Sequence, residues 1–339
     1  APGGRPVSTD VEPLIAPGER PAPAGPVRVL FIGGLGRSGS TLLDRMLGRL
    51  DDVWSVGELV HLWERGLRDN NRCGCGEPFA DCPCWGRVGE VAFGGWDTLD
   101  VAEVLALKAS VDRNRYVPLM LAPGLSRPYR ARLERYLALL ERLYAAVREV
   151  SGRPLVVDAS KHASHAFLVR RMRGVDLRLV HLVRDSRGVA FSWTKRMRRA
   201  EVVSGDALMA TDTPLRMSAR YLGYNLLFHL LGGLGVKSIL LRYESLVRDP
   251  AGELTRVLAL SGRPVAAGEL GFVGDGWVEL GPSHALAGNP MRFRSGRVPL
   301  RVDEEWRGQL RRRHRVLTSV STWPLLLAYG YLRGSSHGR

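Results

Sequence analysis

Cysteine is scarce and confined in this 339-residue sequence: the four present, Cys73, Cys75, Cys82 and Cys84, all fall in CGCGEPFADCPCW. No disulfide framework spread along the chain therefore supports the fold. Long apolar runs are missing as well. VLTSVSTWPLLLAYGYL, near the C-terminus, is broken by Thr, Ser and Pro. It falls short of the ~18–20 clean apolar residues of a membrane span and predicts a buried closing helix. The N-terminal APGGRPVSTDVEPLIAPGERPAPAGP has no uninterrupted apolar segment of the secretory type. Its Pro, Ala and Gly content predicts a disordered tail over 1–26. A cytoplasmic protein is expected, with a membrane surface admitted as a partner but no span.

Acidic residues are outnumbered, 34 against 49 basic, for a net charge of +15. That balance points to anionic partners: nucleic acid, a membrane surface or phosphorylated small molecules. The arginines are spread along the chain rather than gathered in a basic tail, so a general preference for arginine explains part of it. Aromatics are only 7% and do not interleave with a basic run, which speaks against nucleic acid. Hydrophobic residues at 45% permit a sizeable core. No internal repeat is present.

What is present is an alternation of strands and helices. VRVLFIG (27–33), PLVVDAS (154–160), LRLVHLVRD (177–185) and KSILLRYESL (237–246) read as buried strands. Helices are predicted after the first strand and over 130–150, 186–197 (with Ser186 as cap), 215–231 and 249–262. This is an α/β pattern with a central parallel β-sheet flanked by helices, and such sheets bind ligands at the carboxyl ends of their strands. Residues 66–129 do not alternate cleanly and read as an inserted, cysteine-containing helical lid within a domain over 27–333.

The carboxyl end of the first strand runs into FIGGLGRSGSTLL (31–43). Strand, glycine loop and helix form an anion cradle of backbone N–H groups at a helix N-terminus. Gly34 and Gly39 have the Walker spacing, but Ser40 stands where that motif has lysine. Without a lysine for the β- and γ-phosphates, a triphosphate is disfavoured and a shorter anionic chain suits the loop. Gly36, Arg37, Ser38, Gly39, Ser40 and Thr41 are the candidate contacts, Arg37 supplying the cation. A second anion site is expected at HLVRDSRGVAFSW, where Arg184 ends a strand and Ser192 follows eight residues later. Two anion sites at one sheet edge imply a nucleotide phosphorylated at two separate positions.

On these residues the chain resembles sulfotransferases that use 3′-phosphoadenosine 5′-phosphosulfate (PAPS), whose fold is P-loop NTPase-like. GGLGRSGSTLL is similar to that family's 5′-phosphosulfate loop and VRDSRGVAFS to its 3′-phosphate motif. RFRSGRV (292–298) resembles the late glycine loop, adding Arg294, Ser295 and Gly296 as cofactor contacts, and VDASKH and LRYESLVRDP match bacterial members. The resemblance implies transfer of a sulfuryl group from PAPS, leaving adenosine 3′,5′-bisphosphate (PAP), to a hydroxyl or amine of a small-molecule, carbohydrate or lipid acceptor. No catalytic metal is required. Glu58, in a Gly-Glu pair, is the candidate base, with His61 as rival. Lys161 is the candidate cation for the bridging oxygen, and Asp158 is expected to orient its loop. His284 and Asn289 are weaker candidates for the pocket wall. A P-loop small-molecule kinase or NTPase is the alternative enzyme, and a nucleic-acid-binding protein the alternative of another class. The cysteines stay open between zinc, disulfides and free thiols, since CxC is a weaker metal signal than CxxC.

Overall fold

In β1 (Val27–Gly33) successive side chains feed two different cores, Val29 and Phe31 on one face of the sheet, Leu30 and Ile32 on the other. A strand buried on both faces has to be continuously apolar, which is why this run does not alternate. The computed structural model that shows this describes residues 25–195, 200, 202 and 211–332. Most of the segment read as a disordered tail, and the end of the helix read over 186–197, lie outside them.

Five parallel strands form the central sheet in the order β2-β3-β1-β4-β5, with β2 Val53–Gly57, β3 Leu155–Lys161, β4 Val175–Val183 and β5 Lys237–Arg242. The chain runs from β1 through α1 (Ser40–Leu47) outward to β2, returns to β3, and crosses β1 to β4. The carboxyl ends of β2, β3, β1 and β4 therefore lie side by side at the point where the winding reverses, the place such sheets keep for ligands.

Between β2 and β3 lie α2 (Pro83–Phe93), α3 (Val101–Val111), α4 (Val117–Leu121) and the long α5 (Arg127–Ser151). Apolar residues of α2, α3 and α5 share one core that covers a sheet face. After β3 come α6 (Ala163–Arg171), α7 (Ser186–Thr194) and α8 (Pro214–Gly233). Asp185 rather than Ser186 caps α7, its side chain accepting from the Arg187 N–H. The fourth strand ends earlier than its apolar run: Tyr243–Arg248 is a helix, α9, followed by α10 (Pro250–Leu260) with Asp249 as cap.

A second, antiparallel sheet, β6 (Val273–Gly274), β7 (Trp277–Leu280) and β8 (Gly296–Pro299), follows. It has no counterpart in the sequence reading, because its strands are too short to show a period. After the short α11 (Trp306–Gln309), α12 (Arg312–Ala328) closes the chain. It is covered on one face only: Thr318, Thr322, Leu325 and Leu326 are buried, while Val320 and Trp323 are exposed. Among the described residues no helix is long and apolar enough to cross a membrane.

Candidate active site

The cavity at the carboxyl edge of the sheet has a volume of about 1240 Å³. Ordinary small-ligand pockets run to about 1,000 Å³, so there is room for more than one molecule. Gly36, Arg37, Gly39, Ser40, Thr41, Glu58, His61, Lys161, Arg184 and Ser192, spread over 157 positions in the sequence numbering, all line it. Ser38, in the same loop, is buried, and its hydroxyl has no hydrogen-bond partner among the described residues.

The loop wall is made by β1, its glycine turn and α1. Gly39, the residue before α1, has φ 93°, and a Cβ there would stand 2.5 Å from the Tyr243 ring. No side chain caps α1, so its first N–H groups face the cavity mouth, where an anion is favoured. Arg37 holds a left-handed φ of 74°, which for a residue with a side chain costs about 1–2 kcal/mol. Its guanidinium lies over Trp193 (5.5 Å), whose indole N–H donates to Gly36 O (3.1 Å). Burial lowers the Arg37 pKa, and the nearby Glu58 carboxylate offsets part of that.

Arg184 braces this loop from β4. It donates to Arg37 O (3.1 Å) and to Asp303 O (3.2 Å), pairs with the Asp303 carboxylate (3.0 Å) and stacks on Tyr243 (4.8 Å). The Tyr221 hydroxyl donates to Arg184 O at 2.8 Å. The expected anion contact is thus already engaged by a carboxylate of the chain.

The carboxylate wall comes from β2 and β3. Glu58 follows Gly57, whose φ is 74° and whose added Cβ would fall 2.4 Å from Leu286 O. That close approach lets residue 286 pair with the end of β2: Leu286 N–H donates to Val56 O (2.8 Å) and Glu58 N–H to Leu286 O (2.6 Å). Lys161 ends β3 with a left-handed φ of 63° and donates from Nζ to Glu58 Oε1. His61 Nε2 lies 3.5 Å from Glu58 Oε2. Burial, together with Arg65, His162 and the lysines, holds the His61 pKa well below the usual imidazole value, so His61 is neutral at pH 7. Burial likewise brings His162 down to about 4.

Asp158, fully buried, accepts from Ser160 N–H (2.8 Å), the Ser160 hydroxyl (2.5 Å) and the Tyr144 hydroxyl. Ser160 Oγ in turn accepts from Val60 N–H at 2.9 Å. Asp158 therefore fixes the strand end that carries Lys161 and the turn that carries Glu58, without facing the cavity.

Several expected residues lie elsewhere. Arg294, Ser295 and Gly296 do not line the cavity; they enter β8, and Arg294 O accepts from Arg45 at 2.9 Å. Asn289 and Met291, a few residues earlier, do line it, and from Gly296 the chain runs on into the small sheet. His284 is also remote, directed at the cysteines, with Nδ1 3.3 Å from Cys82 Sγ. Asn289 does line the cavity, and its N–H donates to Thr41 Oγ1 (3.5 Å). No residue of 66–129 lines it. The polar and aromatic lining residues that the sequence reading missed are Arg65, His162, Trp193, Lys195, Arg220, Tyr224, Tyr243 and Asp303. Lys195 and Trp193 follow directly on the recognised Arg–Ser motif and could have been found by extending it; Asp303 carries no local signal.

Among the described residues that line it, six cationic side chains, of Arg37, Arg65, Lys161, Arg184, Lys195 and Arg220, stand with two carboxylates, Glu58 and Asp303. This balance of charge favours an anionic ligand, and Glu58 is a buried carboxylate on the same cavity. The chain belongs to the sulfotransferase domain family, whose model matches residues 28–273. Among solved structures it is similar to the sulfotransferase domain of the olefin synthase of Synechococcus PCC 7002 (19% identity over 91% of this chain and 97% of that one, TM-score 0.47). It is similar also to the sulfotransferase domain of the curacin biosynthetic pathway (19% identity, 89% and 97% covered, TM-score 0.45). A third is the sulfotransferase STF9 of Mycobacterium avium (13% identity, 72% and 66% covered, TM-score 0.39). No match is found among curated proteins.

Proposed function

We propose that this sulfotransferase moves a sulfuryl group from PAPS to a hydroxyl or amine of a small-molecule, carbohydrate or lipid acceptor, with Glu58 as the base. The observation that carries the reading is the presence of the glycine loop, Arg184, Ser192 and Glu58 around one cavity. The donor set suits PAPS: an uncapped helix N-terminus with hydroxyls and Arg37 for the phosphosulfate, and Arg184 with Ser192 for the 3′-phosphate. When bound, PAPS supplies the activated sulfuryl group on a phosphate leaving group.

The chain's residues then divide the work. Arg37 and the loop N–H groups hold the anionic oxygens and meet the charge that grows on the leaving phosphate, as in phosphoryl transfer. Glu58 takes the acceptor proton. Its carboxylate accepts from Lys161 Nζ, so Lys161 would have to turn away from Glu58, and its ammonium would then serve as a second cation for the anionic donor. Neutral His61 keeps Glu58 oriented and stands as the alternative proton acceptor. The wall of His61, Arg65, His162 and Tyr224 is left for the acceptor.

The test is thermal stabilisation followed by transfer. PAP is expected to stabilise the protein more than adenosine 5′-phosphosulfate, and ATP least. Incubation with PAPS and an acceptor panel should then give a product heavier by one sulfuryl group. Stabilisation by ATP without any by PAP would refute the reading and favour a kinase.

A further inference from the structure

Three of the four cysteines and one distant histidine converge on a single point. The thiol sulfurs of Cys73, Cys75 and Cys82 and a ring nitrogen of His284 all lie within 4.8 Å of one another. Cys82 Sγ is 3.6 Å from Cys73 Sγ and 3.8 Å from Cys75 Sγ. His284 Nδ1 is 3.3 Å from Cys82 Sγ and 3.8 Å from Cys73 Sγ.

These four separations match edges of a coordination tetrahedron. With Zn–S of about 2.3 Å and Zn–N of about 2.0–2.1 Å, tetrahedral angles separate two sulfurs by about 3.8 Å and a sulfur and a nitrogen by about 3.6 Å. A disulfide brings its sulfurs to about 2.0 Å and leaves a histidine no part to play. We propose that Cys73, Cys75, Cys82 and His284 bind one structural Zn²⁺, and that Cys84 is not a ligand.

Two features of the surroundings support a metal. Cys84 is buried in the apolar core and is absent from the cluster, so the four cysteines do not act as two CxC pairs. His284 also shares a small cleft with Arg45, Arg49 and Arg153, cations that stabilise the negative charge of three thiolates on one Zn²⁺. On binding, three thiol protons leave to solvent and His284 coordinates as neutral imidazole through Nδ1.

The metal would join parts of the chain 202 positions apart, a span read from Cys82 to His284. Its partner strand is the segment that supports the candidate base. Gly74 N–H donates to Ala285 O (3.0 Å), and Leu286 pairs with the end of β2 on either side of Gly57. Zn²⁺ would thus lock the Cys loop onto the backbone that holds Glu58, and its role is architectural.

The experiment is metal analysis of the full-length protein purified under reducing conditions. About one zinc per chain is expected in the wild type and in Cys84→Ser. Cys75→Ser, at an exposed position chosen to spare the core, and His284→Ala should retain zinc against a competing chelator more than about tenfold less well. Cobalt substitution gives a readout independent of folding yield: wild type and Cys84→Ser should show the intense visible absorption and thiolate charge-transfer bands of tetrahedral Co²⁺, and Cys75→Ser a changed spectrum. The proposal is overturned if the reduced wild type takes up neither zinc nor cobalt. Loss of metal from Cys84→Ser equal to that from Cys75→Ser, or a native disulfide among Cys73, Cys75 and Cys82 on non-reducing mass analysis, would overturn it too.

Discussion

The two walls of the cavity are built in opposite ways. The loop wall is local: strand, glycine turn and helix follow one another over residues 27–47, and its backbone path can be read from glycine spacing alone. The carboxylate wall is assembled from afar. Glu58 at the end of β2 meets Lys161 at the end of β3, and the Glu58 backbone is held by a segment near residue 286 that reaches back to pair with β2. A local wall can be copied between proteins as a motif, whereas an assembled wall exists only once the sheet order is in place.

The sharpest way to break this comparison is to remove the proton acceptor alone. Glu58→Gln keeps the shape and the backbone bonds to Leu286. If the two walls have separate tasks, turnover should drop by roughly 10²–10⁴-fold while PAP affinity, measured by calorimetry, changes little. Loss of PAP affinity in step with turnover would show that Glu58 serves the loop wall. Unchanged turnover would pass the base role to His61.

The walls also share an electrostatic link in Asp44, on α1, which is fully buried and whose carboxyl pKa rises to about 7, chiefly through burial. In the unfolded chain it ionises near 3.9. Between these values the folded state holds the proton more tightly, so its contribution to stability is complete below pH ~3.9 and is lost as pH rises to about 7. His162 and His181, brought down to about 4 by burial, act with the opposite sign as pH rises from about 4 to about 6.5. The comparison of wild type with Asp44→Asn isolates the first effect. Denaturant unfolding at pH 5 and pH 8 should show the variant gaining of the order of 3 kcal/mol on the wild type at the higher pH. A difference independent of pH would mean that Asp44 is ionised throughout.

How much of this was legible follows the same division. The parallel sheet, the glycine loop and the shared placement of Arg184 and Ser192 on the cavity all show in contiguous residues, because apolar runs and glycines act on their own neighbours. Glu58 was legible only through the family's Gly-Glu pair, since β2 is five residues long and has no period to read. The engagement of Arg184 by Asp303 was invisible: 119 positions separate them, and nothing in the sequence around Asp303 announces a partner. His284 was placed at the pocket for want of any local signal tying it to cysteines 202 positions earlier. The strand that follows the late loop was hidden for a related reason: RFRSGRV shows its glycine and arginine spacing, but the four residues Gly296–Pro299 are too few to show a strand period.

Arg184 tests whether the loop wall reads a 3′-phosphate. Replacing it with alanine removes charge-assisted hydrogen bonds worth about 1.5–3 kcal/mol, so PAP affinity should fall by roughly 10–100-fold. The affinity for adenosine 5′-phosphosulfate, which lacks that phosphate, should change far less. Equal losses for both nucleotides would assign Arg184 to bracing the Arg37 carbonyl instead.

The smallest expected effect concerns the carboxylate that occupies Arg184. Asp303 lies 3.0 Å from the guanidinium and 4.0 Å from Lys195, so an arriving phosphate competes with it for the same cations. Asp303→Asn removes the competing charge but not the Arg184 orientation, which two backbone carbonyls, Arg37 O and Asp303 O, also fix. Because the Asp303 side chain is 29% exposed, solvent screens the pair and its strength is modest, about 0.5–1 kcal/mol. PAP should therefore bind roughly two- to fivefold more tightly to the variant, while adenosine 5′-monophosphate, which offers nothing to Arg184, should bind as before. Weaker PAP binding with monophosphate unchanged would mean that Asp303 positions Arg184 rather than competing for it.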